Sequence, residues 1–485
     1  MSTESKAKRV ERQARLTLKN CKAQKIDDGG GFLTALGGVT SLAKAAEVTG
    51  LVAMAVERIE PWRDEGLVEH EIKTLLSQRL YLGACGHTDA LDCSLFKDDP
   101  GLKSVLGLEP DGPSLPSQST HTRMENSMSE DSLNKLEELP LEYFLSRHEH
   151  EPRELTIYFD GSAIRTYGSQ QNSIYRGGKK YSQTQYFPLL AATKEGHLLL
   201  AKLRSGNVSD ATSLAEITKL VEAILERWPH VKLTIVMDAG FNAPHLLDFL
   251  EEKKVNYVVG YPATSSIKSN FKDTIKAAEE GFKKEFGEPK FKGKAGEKAW
   301  QKEHTRLRAL PADERKEAEK AMNSRFTRWM YGAEHQGNNW EGSRTVIVRI
   351  DCSDKGTDIR CVSTNMTGHS AQAIYEDYYC NRATIEFTIK ENKSHCRVPL
   401  SCMEYSANRF RFVLQSLIYI LMDELRRLLP RAKKAPTLAT LRNQILLIPA
   451  QIFAYARHIH WRLSSVHPAS ALLINLNKKL QARTA

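Results

Sequence analysis

Two stretches constrain most strongly what this chain can build. ELTIYFDGS (154–162) and KLTIVMDAGF (232–241) are β-rich apolar runs, and an aspartate ends each of them, Asp160 in the first and Asp238 in the second. After the first run come YFPLLAAT and HLLLAKLRSG, two more strand patterns joined at Lys194-Glu195-Gly196, a hairpin signal. An amphipathic helix (SLAEITKLVEAILERW) leads into the second run; a helix (APHLLDFLEEK) and an apolar strand (VNYVVGYP) follow it.

Three strands in antiparallel order, then alternating helix and strand, predict an α/β sheet of ribonuclease-H-like type. Around it the chain divides by composition. Residues 1–25 form a basic arm, and 26–150 a mostly helical N-terminal region suited to DNA binding or dimerisation, with helical spacing in LTALGGVTSLAKAAEVTGLVAMAVERI and HEIKTLLSQRLYLGACG. The Pro/Ser/Gly-rich EPDGPSLPSQSTHTRMENSMSE reads as a flexible surface loop. The α/β domain is expected over 151–262 and 345–430, interrupted at 263–344 by a charged insertion in which Trp300, Trp329 and Trp340 hint at a small folded part; 431–485 is a basic C-terminal region.

The charge is uneven. Met403–Ala485 holds thirteen Lys/Arg against three Asp/Glu, and the first 25 residues eight against two; with a whole-chain charge of +10, the stretch between sums to −6. Basic ends around an acidic middle suit contact with a polyanion, and equally suit a solvated surface. None of the eight cysteines forms a Cys-x-x-Cys pair. Reduced thiols are expected, and Cys85, His87 and Cys93 fit no common zinc spacing. The longest apolar run, Phe412–Met422, is too short to cross a bilayer, and the N-terminus shows no apolar signal region. No membrane contact is expected.

A carboxylate at the end of a central strand is rigidly held yet open to a ligand, and two on neighbouring strands can bridge divalent metal ions. Either alone also suits a turn or a helix cap. The segment DYYCNRATIEFTIKENK adds a third acid. On a helix, Tyr379, Arg382, Glu386 and Lys393 fall within about 60° of one another. That face would join an acid for metal to two cations and a phenol for phosphate oxygens. Glu386 and Lys390 could instead form a surface i,i+4 pair. The β-branched ATIEFTIK could also be a strand, which would separate Tyr379 from Arg382.

Tyr379-(2)-Arg382-(3)-Glu386-(6)-Lys393 resembles, position for position, the Y-R-E-K signature of DDE-type bacterial insertion-sequence transposases. More narrowly, the chain resembles the insertion-sequence family numbered thirteen-eighty. Supporting stretches include GHTDALDCSLFKDDPGLKSVLG, FDGSAIRTYGSQQ, VMDAGFNAPHLLDFLE and SANRFRFVLQSLIYIL, in the expected order along nearly the whole chain. Ala163 and Ile164 stand where members often carry further acids, and Gly168, Gln170 and Gln171 lie in a family-like patch to which no physical role attaches.

The resemblance implies a ribonuclease-H-like catalytic domain with an inserted subdomain, and helix over 379–393. It implies Asp160, Asp238 and Glu386 as catalytic ligands of two Mg²⁺ ions (Mn²⁺ may substitute), and Tyr379, Arg382 and Lys393 as DNA-phosphate contacts. The expected activity is cutting of element ends and joining to target DNA by phosphoryl transfer. The partners are then double-stranded DNA, as terminal inverted repeats and target, and a second copy in a homodimer on DNA. A bacterial cytoplasmic, nucleoid-associated location is expected. A ribonuclease-H-fold nuclease without strand transfer, or a domesticated DNA-binding protein, are the alternatives.

Overall fold

The computed structural model describes residues 13–62, 66, 68–177, 182–291, 293–337, 340–430 and 435–483. The first twelve residues of the basic arm and positions 431–434 of the basic C-terminal region therefore lie outside the described residues. The chain forms two compact units. One, the sheet unit, comprises Leu141–Thr166 and Asn172–Ile389; the other, the helical unit, comprises Met1–Pro140, Tyr167–Gln171 and Lys390–Ala485.

The sheet unit is mixed α/β around one eight-stranded sheet. Its strands are β1 (Glu154–Gly161), β2 (Leu189–Thr193), β3 (Leu198–Lys202), β4 (Lys232–Met237), β5 (Asn256–Tyr261), β6 (Phe326–Gln336), β7 (Ser343–Ser353) and β8 (Gly356–Thr364). Their spatial order is β6-β7-β8-β5-β4-β1-β2-β3. β1, β4 and β5 run parallel, with Val236 opposite Tyr158 and Val236 opposite Val258. Every other neighbouring pair is antiparallel. Gly196, at φ 85°, takes the left-handed conformation that the β2–β3 turn needs.

Helices α1 (Leu214–Arg227) and α2 (Pro244–Glu252) are the two read from the sequence, and each carries its apolar stripe into the core. Ile217, Val221 and Ile224 of α1 and Leu246, Leu247 and Leu250 of α2 are all buried, together with Ile157, Phe159, Ile235 and Val259 of the sheet. Burial of such side chains stabilises by roughly 1.5–3 kcal/mol each.

The insertion is smaller than its charge pattern implies. Ser265–Asn270, Lys272–Phe286, Gly293–Arg308 and Ala312–Met322 are helices, but β6 pairs with β7 along its whole length, Phe326 opposite Ser353 through Gln336 opposite Ser343. β6 is an edge strand, mostly exposed, so its letters (FTRWMYGAEHQ) lack the apolar run of a central strand.

In the helical unit, the 24-residue helix Tyr405–Leu428 is the buried centre. It carries Arg409, Arg411 and Asp423 into the interior, where burial without partners would be prohibitive. Arg409 pairs with Glu137 (2.8 Å) and Arg411 with Glu125 (2.7 Å), which Arg79 also meets at 3.1 Å. The division thus departs from the segments read from sequence. Residues 390–430 group with the N-terminal helices because their arginines find acids there, nearly 300 positions earlier. The stretch read as a flexible loop likewise holds a helix, Gln118–Asn126, with His121 and Glu125 fully buried. Its polar letters are core pairs, since His121 Nε2 lies 2.9 Å from Gln78 Oε1.

The C-terminal region returns to the N-terminal one. Ala450–Tyr455 pairs with His458–Leu463 and with Leu33–Thr34, and Ser41 of the helix Val39–Thr49 donates to Asn477 of the helix Ser470–Gln481 at 3.0 Å. The patch without an assigned role, Gly168–Gln171, also belongs here: Gln170 donates to the Leu400 carbonyl (3.0 Å), and Gln171 accepts from Tyr405 N (3.1 Å). Among the described residues, no single helix is long and apolar enough to cross a membrane. All eight cysteines are free thiols, and Cys85 and Cys93 are buried.

Candidate active site

β1 and β4 are parallel neighbours, so their C-terminal ends share one edge of the sheet. Asp160 lies at the end of β1, opposite Leu190 of β2, and Asp238 directly follows β4. Asp238 is also a turn cap: its Oδ1 accepts from Gly240 N at 2.7 Å at the start of the short helix Ala239–Phe241. The turn reading and the chemical reading of this residue are compatible.

The 379–393 segment is helical but not one regular helix. Ile374–Tyr379 is π-helical, Cys380–Arg382 is a 3₁₀ turn, and α3 spans Ala383–His395. The 60° arc expected of a uniform helix is therefore replaced by an irregular turn, a feature frequent where function bends a helix. This turn sets the Tyr379 hydroxyl beside Gly260 of β5 and the backbone of Ala239; a Cβ at Gly260 would come within 2.8 Å of the hydroxyl oxygen.

Arg382 joins the strand end to α3. Its Nη1 lies 3.2 Å from Asp160 Oδ1 and its Nη2 3.0 Å from Glu386 Oε1. The other two glutamates of the segment are engaged elsewhere. Glu376 accepts from Gln372 (2.9 Å) and lies 3.7 Å from Arg328 of β6. Glu391, buried in the helical unit, pairs with Arg426 at 2.6 Å and accepts from Leu438 N at 2.8 Å. The sheet unit thus gathers Asp160, Asp238, Tyr379, Arg382 and Glu386; Lys393, at the far end of α3, belongs to the helical unit.

Burial pushes the Asp160 carboxyl up to about 7; the Arg382 guanidinium opposes that rise, while the negative charges of Asp238, Asp210 and Glu386 add to it. Burial also raises the Tyr379 phenol, which stays a neutral donor. Asp210 is the residue that sequence reasoning missed. It sits on a short turn, Asp210–Thr212, between β3 and α1, and accepts from Arg204 Nη2 at 2.7 Å. In the sequence it is one polar letter in SGNVSDATS, with nothing to set it apart from a turn former.

The residues fit a divalent cation by chemistry. The acids offer only hard oxygen donors, the preference of Mg²⁺ and Mn²⁺. The backbone around them is cleared: a Cβ on Gly161 would collide with Asp210, and one on Gly240 would lie 2.9 Å from Asp238 Oδ1. Among the described residues no three acids, histidines or cysteines are drawn close enough to form a finished metal cage. A guanidinium stands between two of the acids instead, as expected for like charges that must be kept apart or neutralised.

No curated protein is similar enough in sequence to register as a relative. Among solved structures, the chain is similar to that of the cryo-EM structure of piggyBac transposase synaptic complex with hairpin DNA, at 10% identity and a TM-score of 0.40, over 84% of this chain and 78% of that one. The sequence also matches, over residues 17–485, the family described as transposase DDE domain group 1. The chain belongs to that family.

Proposed function

We propose that the protein is a DNA transposase that cuts the ends of an insertion sequence and joins them to target DNA, with Asp160, Asp238 and Glu386 as its three acids. The observation that carries this reading is the Arg382 bridge, which ties the strand-end Asp160 to Glu386 and to neither Glu376 nor Glu391. The strand order β3-β2-β1-β4-β5, with β1, β4 and β5 parallel, supports a ribonuclease-H-like catalytic core. The Y-R-E-K spacing supports the narrower branch numbered thirteen-eighty.

When bound, two Mg²⁺ or Mn²⁺ ions would stabilise the attacking and leaving oxygens of an in-line displacement and activate a water or a 3′-hydroxyl. Asp160, Asp238 and Glu386 would hold them. Arg382 supplies two donor nitrogens at the same edge, the geometry that suits a phosphate as well as carboxylates. When DNA arrives, its phosphate takes over these nitrogens and the carboxylates are released for their ligands. The neutral Tyr379 hydroxyl orients a second phosphate oxygen, and Lys393 adds charge along the strand. The basic terminal segments hold DNA flanking the cut, in a homodimer that pairs two element ends.

The DNA flanking the reading frame supplies the substrate. Purified full-length protein, Mg²⁺ and labelled flanking ends should give nicked ends, and pre-cut ends should join to a target plasmid. Nicking without joining would favour a nuclease. Neither reaction, with end binding intact, would overturn the proposal.

A further inference from the structure

We infer that the hairpin of Ala450–Tyr455 and His458–Leu463 reads duplex DNA, its outward face entering the major groove of the element's end. The inference rests on the function proposed above and names the part of this chain that recognises the end.

The register gives the hairpin two faces, because directly opposed residues point the same way. Ile452 is opposite Trp461 on the anchoring face. Ile452 is buried, and a Cβ on Gly101 would come within 3.0 Å of the Trp461 ring. The other face carries Phe453 opposite His460 and Tyr455 opposite His458, with Arg462 at its base. Tyr455, His458, His460 and Arg462 are exposed, the tyrosine by 52%. Leu33–Thr34 extends the sheet only beside Ala450 and Gln451, so among the described residues 453–460 continue as a two-stranded ribbon.

A two-stranded ribbon is one of the shapes that the major groove of B-DNA admits. The charge of this one suits a polyanion. Arg457 stands at its exposed turn, and from Leu425 to Ala485 the chain has eleven Lys/Arg and no Asp or Glu. A second copy of the chain docked here would set arginines against arginines, whereas phosphates complement them. The rings on the outward face are also ordered before any partner arrives. Tyr455 and His458 stack at 4.9 Å with planes 19° apart, and the Arg462 guanidinium lies over the Phe453 ring at 4.7 Å. Side chains already held against one another lose little freedom on binding. Imidazole and phenol groups presented in this way can bond the acceptor edges of bases, while Arg457 takes a phosphate.

The test is fluorescence anisotropy of the full-length protein in EDTA, with a labelled element end and a scrambled duplex of equal length. Methylation protection of guanine N7 on the end reports the major groove directly. Tyr455→Ala combined with His458→Ala should weaken binding to the end by about ten- to a hundredfold and expose guanines that the wild type shields, with the scrambled duplex bound within about twofold of wild type. Wild-type affinity and protection in the folded double variant overturn the inference. So does normal DNA binding with an altered mass by light scattering, which assigns the face to a second copy. If the double variant does not fold, Arg457→Gln at the exposed turn decides. It should flatten the plot of log affinity against log salt by about 0.9, and an unchanged slope overturns the inference. Wild-type protein that neither prefers nor cuts the element end overturns the proposed function; if it does both while the variants bind as tightly, only the ribbon inference fails.

Discussion

The guanidinium of Arg382 lies 3.2 Å from the carboxylate of Asp160, although 222 residues separate them in sequence, and the same group reaches Glu386 at 3.0 Å. Arg382 therefore holds in place acids that would otherwise repel one another, and in the proposed function it also grips a phosphate. Arg382→Ala should lower end cleavage by about 10²–10³-fold, the usual cost of removing a donor aimed at developing charge. Arg382→Lys should recover only part of that, because an ammonium cannot span two carboxylates with a planar fork. Single-turnover cleavage of a labelled end measures both.

Charge-neutral substitutions of the three acids should separate chemistry from binding. Asp160→Asn, Asp238→Asn and Glu386→Gln are expected to abolish nicking and joining while gel-shift binding of the element end persists. Glu376→Gln should stay within a few-fold of wild type, its partner Arg328 also having Asp351 at 2.8 Å.

Glu391→Gln should fail in a different way. It strips one buried carboxylate from Arg426, which keeps Asp423 at 2.9 Å, and weakens the bond to Leu438 N, a change that costs about 1–3 kcal/mol, so its signature is a lowered melting temperature. If Glu391→Gln melts normally yet cannot cut, the assignment of Glu386 is wrong.

Acid sensitivity of the helical unit should trace to His121. Burial drives its imidazole down to about 3, and it bonds Gln78 as a neutral ring. The unfolded chain takes up that proton near pH 6.5, whereas the fold does not until far lower. Stability is therefore intact above about pH 6.5 and falls by up to about 1.4 kcal/mol per pH unit below it. His121→Gln should flatten this slope between pH 6 and 4 in urea titrations, at some cost in stability at pH 7.

Arg431, Lys433 and Lys434 provide a test of the basic C-terminal region by sequence alone. Replacing all three with Gln should weaken binding to any duplex. It should also flatten the plot of log affinity against log salt by up to about 0.9 for each phosphate that these cations neutralise. An unchanged slope would assign them to solvent.

How much of this was legible in the letters depends on how local each signal is. β1, β4, α1 and α2 follow from period and apolar content, and Asp160 and Asp238 stand out because each interrupts such a run. β6 was hidden because an edge strand needs no apolar alternation. The helix Gln118–Asn126 was hidden because its buried polar residues are satisfied by Gln78, Arg79 and Arg411, all distant in sequence. Asp210 was hidden because it stands in a short polar turn, and only the fold brings its carboxylate over Gly161 and Gly240. The irregular turn before α3 has no letter code, since π and 3₁₀ geometry arise from packing more than from propensity.

The pairing of Leu33–Thr34 with Ala450–Tyr455, and of the helix Val39–Thr49 with Ser470–Gln481, also sets an order of assembly. On a ribosome, the sheet unit has all its strands once Thr364 has emerged, whereas the helix Val39–Thr49 waits for one of its partners more than 400 positions downstream. Domains close as units during synthesis. A chain cut before Ser470 would therefore keep a complete sheet but lack the helix that Ser41 bonds through Asn477, an opening that limited proteolysis can read.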